Sequence, residues 1–183
     1  MAEKFHARKF RELLLYIAQR SSDDPLYGAT KLNKLLFYCD FLAYGQLGRS
    51  LTGARYQKLP HGPAPRQLIP VQRELEQEGA VRIQVRQFFN QIQKRPIALR
   101  PPDLSLFSGE EIALVNMLLE VLHRYNASEV SALSHLESGW QLVDDGEDIP
   151  YETVFLAAPT LTPDDIEAGQ ALWHDIGGVA AEA

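Results

Sequence analysis

Cysteine is nearly absent from this chain: Cys39 stands alone among 183 residues, so no internal disulfide can form. No uninterrupted apolar run approaches the roughly 20 residues that a bilayer-spanning helix needs. The opening stretch Met1–Lys9 is charged and lacks the apolar segment of a secretory signal. Together these absences lead us to expect a soluble, cytoplasmic protein with no membrane partner. Phosphate-cradling glycine patterns are missing too, both the Walker type and GxGxxG, so nothing supports nucleotide binding. The five histidines, His6, His61, His123, His135 and His174, are scattered, and Cys39 falls on an apolar helical stripe. Zinc needs several such ligands close together, so no metal or other cofactor is expected.

Basic residues are also scarce in one region. Residues 1–100 hold 17 Lys or Arg against 8 Asp or Glu, whereas residues 101–183 hold 1 against 16; the sum of +9 and −15 is the net charge of −6. Such a division fits two arrangements: charged faces that meet different partners, or two halves that attract each other within the fold.

The 45% hydrophobic content is that of a globular chain, and one domain over residues 1–183 is the expected organisation. Phe10, Leu13, Leu14 and Ile17 recur at helical spacing within Lys4 to Arg20. A second helix starts near Thr30 and ends around Gly45 to Gly48, with Leu32, Leu35, Leu36, Cys39 and Leu42 as its core face. A neighbouring stripe of Lys31, Lys34, Tyr38 and Phe41 lies about 100° away. After a short extended piece from Arg55 to Leu59, the prolines in Pro60-His61-Gly62-Pro63-Ala64-Pro65 exclude helix and make a stiff turn. Leu68, Val71 and Leu75 predict a short helix closed by Gly79. Val81, Ile83 and Val85 alternate as a strand does, Gln91 to Leu99 is the return strand, and Phe88-Phe89-Asn90 lies at the tip.

Ser108 and Glu111 have capping-box spacing ahead of the helix that carries Ile112, Val115, Leu118, Leu119 and Leu122. Asn126 or Ser128 caps another that ends at Gly139-Trp140. Asp144 to Asp148 reads as a solvated acidic loop, Tyr151 to Ala157 as a further helix, and Thr162-Pro163-Asp164-Asp165 as the start of a last one. The expected fold is mainly α, formally α+β: a helical domain with a small antiparallel β-hairpin and a winged-helix-like layout in its first half.

No catalytic constellation emerges. Ser134 and His135 are adjacent, but neighbours on a helix point about 100° apart, and no nucleophile elbow surrounds them. A helix followed by a hairpin bearing Arg82, Arg86, Lys94 and Arg95 has the layout of a basic wing able to touch phosphates. Against nucleic acid stand the acidic pI of about 5.4 and the lack of a helix that gathers Arg, Lys, Asn and Gln on one face.

The order Lys31-Leu32-Asn33-Lys34-Leu35-Leu36-Phe37-Tyr38, Gly48-Arg49-Ser50-Leu51, Tyr56, His61-Gly62-Pro63 resembles the opening signature of the Panacea domain, the SocA-like antitoxin family. Ser131 to Trp140, with its Ser134-His135 pair ahead of the tryptophan, resembles the family's second signature, and the likeness runs from about Thr30 to Phe155. Family members more often place an aromatic residue before the Gly-Pro and a proline before the tryptophan, where this chain has His61 and Gly139. The resemblance implies a non-enzymatic antitoxin of a toxin–antitoxin or phage-defence module, which neutralises a toxin encoded by a neighbouring gene through direct protein contact. Under it, Leu35, Gly62, Pro63 and Trp140 are motif residues with structural roles. His61 and His135 are candidate partner-contact residues, although His135 reads more readily as a satisfied structural histidine. Lys31, Lys34, Tyr38 and Tyr56, hard to explain as packing, form the expected partner-binding surface. A DNA-binding regulator and an adaptor that delivers a client to a protease are the alternatives.

Overall fold

The computed structural model describes residues 3–88 and 91–156. Hairpin-tip residues Phe89 and Asn90, the helix expected to open at Thr162, and the tail Val179 to Ala183 lie outside them. The chain is mainly helical, with helices α1 (Ala7–Arg20), α2 (Ala29–Leu47), α3 (Leu68–Gln77), α4 (Gly109–His123), α5 (Ala127–His135) and α6 (Ser138–Leu142). Strands β1 (Tyr56–Gln57), β2 (Ala64–Pro65) and β5 (Asp148–Ile149) form a small antiparallel sheet in the order β2-β1-β5. Strands β3 (Val81–Phe88) and β4 (Gln91–Ala98) pair as the expected hairpin, Val81 opposite Ala98 and Phe88 opposite Gln91.

Local chemistry explains most boundaries. Ser108 and Glu111 make the predicted capping box at α4, and Asn126 with Glu129 makes a second one at α5. Pro70 lies in the first turn of α3, where its missing N–H costs nothing. Gly48 ends α2 in the left-handed conformation. Two expectations are corrected. Helix α5 stops at His135, and Gly139 and Trp140 belong to the separate short helix α6 rather than to a terminus. Tyr151–Phe155 is a 3₁₀ turn.

Helix α2 is the centre of the molecule, packed by α1, α4, α5, β2, β4 and the 3₁₀ turn. Most of its circumference is covered: the Lys31–Lys34–Phe41 stripe is buried along with the Leu32–Leu35–Leu36–Cys39 stripe, while Tyr38 and Leu42 are half-buried and Gly45 and Gln46 are exposed. This overturns the expectation of an exposed surface there: Lys31, Lys34 and Tyr56 are almost inaccessible, and Tyr38 is half-buried. A buried ammonium requires acceptors for its three protons. Lys31 Nζ finds them in Asp24 Oδ2 at 2.7 Å and in the carbonyls of His123 and Tyr125, each at 2.9 Å. Those carbonyls sit at the C-terminal end of α4, where a cation is favoured.

The charge division resolves partly inward. Five of the nine ion pairs among the described residues join the basic first hundred residues to the acidic remainder: Arg8–Asp103, Lys9–Glu111, Arg49–Glu111, Arg55–Asp148 and Arg66–Asp148. Only three acids of the second half are consumed in this way, so most of its negative charge remains unneutralised by these pairs.

Removing the Lys31 charge strands the Asp24 carboxylate and two carbonyls in the interior. Lys31→Met should cost about 3–5 kcal/mol in urea unfolding, far more than Lys→Met at a surface position. A loss below about 1 kcal/mol would show that the clasp does not hold α2 to α4.

Candidate functional site

The motif residues, dispersed in sequence from Lys34 to Trp140, meet at one end of α2. The prolines and Gly62 turn the chain between β1 and β2 so that the Pro63 carbonyl accepts from Lys34 Nζ at 3.1 Å. Gly62 has φ +93°, a backbone state that side chains rarely adopt. A Cβ there would also stand 2.3 Å from Ser134 Oγ and 2.7 Å from Lys34 Cε. Ser134 is fully buried and donates to the Ser131 carbonyl at 2.7 Å, which turns it inward against this glycine. The imidazole of His135 hydrogen-bonds the Pro60 carbonyl and stacks on Trp140, ring centroids 4.1 Å apart. Trp140 Nε1 donates to the Leu59 carbonyl at 3.2 Å, and Lys58 Nζ lies 4.5 Å from the Trp140 ring centroid.

Electrostatically the knot is a buried, cationic place. Burial pushes the Lys34 ammonium down to about 8. Burial, with Lys34, His61 and Lys58 adding positive charge nearby, pushes His135 below the usual imidazole range. Its Nε2 is buried without a hydrogen-bond partner among the described residues. Tyr38 leans the other way and hydrogen-bonds the half-buried Glu137, whose carboxyl burial raises. Of the residues expected to touch a partner, only His61 is fully exposed.

Gly139 has a physical reason of its own. A Cβ at that position would meet Thr153 Oγ1 at 2.3 Å and Ile149 Cγ2 at 2.7 Å, so the 3₁₀ turn packs directly on the α6 backbone. The residue before the tryptophan has no room for a side chain here.

Lys31 and Tyr56 belong to other clusters. Tyr56 sits above Asp40, the residue that sequence reasoning missed although an acid amid Leu36, Cys39 and Ala43 was visible. Asp40 is wholly inaccessible and accepts from Thr52 N at 2.6 Å, Thr52 Oγ1 at 2.5 Å and the Tyr56 hydroxyl at 2.7 Å. Burial pushes its carboxyl up to about 6 despite these donors.

The hairpin residues do not form a basic wing as a set. Arg82 and Lys94 are exposed, whereas Arg86 is half-buried, bonded to Gln93 and the Pro25 carbonyl. Arg95 is buried and donates to the carbonyls of Asp24, Tyr27, Ser21 and Ser22, so it pins the hairpin to the α1–α2 loop rather than facing a phosphate. On α3, the helix ahead of the hairpin, Glu74 and Glu76 are exposed beside Arg73, the opposite of a recognition surface. In the acidic loop Asp144, Asp145 and Glu147 are exposed, as a solvated loop requires, but Asp148 pairs with Arg55 and Arg66, which hold its carboxyl below the usual range although burial opposes them. Among the described residues no group of three or more His, Cys, Asp or Glu is placed to hold a metal ion. No described helix is long and apolar enough to cross a membrane.

What the fold and the site define is a helical scaffold whose motif residues are spent on holding a turn, two short helices and a central helix together. A family model described as antitoxin SocA-like, Panacea domain, matches residues 32–141, and the chain belongs to that family. No curated protein and no solved structure matches it.

Two measurements check the site. Gly62→Ala should lower stability by about 2 kcal/mol or more, because both backbone strain and the Ser134–Lys34 contact oppose it; a change under about 0.5 kcal/mol would show that the turn relaxes freely. For Asp40, the folded-state value of about 6 lies above the ordinary 3.8, so the native state binds the proton more tightly. Stability from this group is present in acid and is lost as pH rises from about 4 to about 6, amounting to about 3 kcal/mol at most. Urea unfolding at pH 4 and pH 7.5 should therefore show wild type losing ground to Asp40→Asn on going to the higher pH. A constant difference between the two proteins would rule this out.

Proposed function

We propose that this chain is the antitoxin of a toxin–antitoxin or phage-defence pair and that it neutralises its toxin by direct protein contact, without an enzymatic step. The observation that carries the reading is family membership over residues 32–141, the stretch that contains the whole Lys34–Gly62–His135–Trp140 knot. In this reading the shared motif maintains the scaffold, and the surface laid over it recognises the toxin. We take residues 1–183 to work as one domain in the cytoplasm, with no cofactor.

Charge favours such a role. The second half carries 16 acids against a single arginine, Arg124, and inward ion pairs use few of them. A negative surface steers a basic partner and speeds its encounter.

The test is co-expression with the product of the neighbouring gene. That product alone should arrest growth, this chain should restore it, and the two should co-purify as a stable complex. Protease-dependent disappearance of the neighbour in place of a complex would support the adaptor alternative, and arrest unrelieved by this chain would refute neutralisation.

A further inference from the structure

We infer that the toxin-docking surface is the apolar groove between α2, α4 and α5, and that it receives a cationic, amphipathic segment of the partner. This rests on the antitoxin reading and names the face and the chemistry of what binds there.

The groove has a volume of about 440 Å³ and is walled by Phe41 and Leu42 of α2, Val121 and Leu122 of α4, Leu133 of α5 and Leu136 just past its end. Its rim exposes large apolar side chains: Leu136 is 67% and Val121 is 50% accessible. Val154 also lines it, and next along the chain Phe155 is 65% and Leu156 is 48% accessible. Exposed apolar side chains gathered around a concavity mark an interaction site, whereas the same residues scattered singly would not.

Glu137 supplies the polar specificity. It lines the groove and accepts from Tyr38, yet no Lys or Arg among the described residues forms an ion pair with it. A half-buried carboxylate in that condition is matched by a cation brought from outside.

Charge selects the occupant. The chain's own segment 157–183 has five Asp or Glu and no Lys or Arg, with His174 its one side chain able to carry positive charge, so its net charge opposes docking beside Glu137. A second copy docked by two-fold symmetry would bring Glu137 towards its own counterpart, a like-charge contact that costs affinity. A basic segment with apolar residues at i, i+3 or i+4, and i+7 fits both requirements in the manner of a helix laid in a groove.

The experiment uses the full-length chain and the co-expressed product of the neighbouring toxin gene, with affinity measured by calorimetry. Val121→Gln combined with Leu136→Gln should weaken binding about 30-fold or more while leaving the thermal midpoint near wild type, since both side chains already face solvent. Glu137→Gln should weaken binding about 10-fold and flatten its dependence on salt. Ile69→Gln, an equally exposed apolar position on α3, should leave affinity unchanged. Tight wild-type binding that the three groove changes at Val121, Leu136 and Glu137 leave intact would overturn the groove while the antitoxin reading stood; no wild-type binding at all would fail that reading itself. Two further outcomes also overturn the proposal. One is a wild-type dimer that Val121→Gln with Leu136→Gln turns into a monomer, which would make a second copy the occupant. The other is tighter toxin binding after Leu172→Gln with Trp173→Gln, which would give the groove to the chain's own C-terminal segment.

Discussion

The structure depends on a central, largely buried helix that carries three inaccessible ionisable groups. Lys31, Lys34 and Asp40 lie along α2 with almost no access to water, and each is hydrogen-bonded to a different part of the chain. Lys31 reaches Asp24 and the end of α4, Lys34 reaches the proline turn, and Asp40 takes the Thr52 and Tyr56 donors. Because an unpaired charge in the interior costs several kcal/mol, each of these loops is fixed to α2 at a single register. An all-apolar helix of the same shape would pack, but it would not specify which loop goes where.

That constraint explains why the family's motif is written in polar and conformationally special residues although its role here is architectural. Gly62 turns where no side chain fits, Ser134 faces it from α5, and His135 and Trp140 stack to hold α6 beneath the Leu59–Pro60 carbonyls. The same logic fixes the hairpin, since Arg95 spends its guanidinium on four carbonyls of the α1–α2 loop. A scaffold secured in this way can vary its exposed residues without losing its fold, because surface substitutions away from such anchors change stability little.

Electrostatics then divides labour between the two halves. Several basic residues of the first hundred are drawn inward, as Lys31, Lys34 and Arg95 show, and others enter ion pairs with Asp103, Glu111 and Asp148, while Arg82 and Lys94 stay exposed. Glu111 serves doubly, capping α4 through the Ser108 amide while accepting from Lys9; burial works against its charge, and these donors outweigh it. The other described acids of the second half form no ion pair with a described residue, and they give it its character.

Sequence alone determined the helices and the hairpin, because those follow from periodicity, capping and turn chemistry that act over a few residues. The Ser108–Glu111 box, the Val81–Ile83–Val85 alternation and the placing of Cys39 in the core were all legible for that reason. It also made the family legible, through the order of Lys34, Tyr56, Gly62-Pro63 and Trp140. What it could not determine was which polar residues face water. Lys31, Lys34 and Tyr56 have the chemistry of surface residues, and Arg95 that of a phosphate contact. Their burial follows from elements distant in sequence closing around α2 and supplying acceptors, from Asp24 to Tyr125, that no local pattern announces. Only the tertiary structure decides that, because the free energy of a buried charge is set by what surrounds it in space.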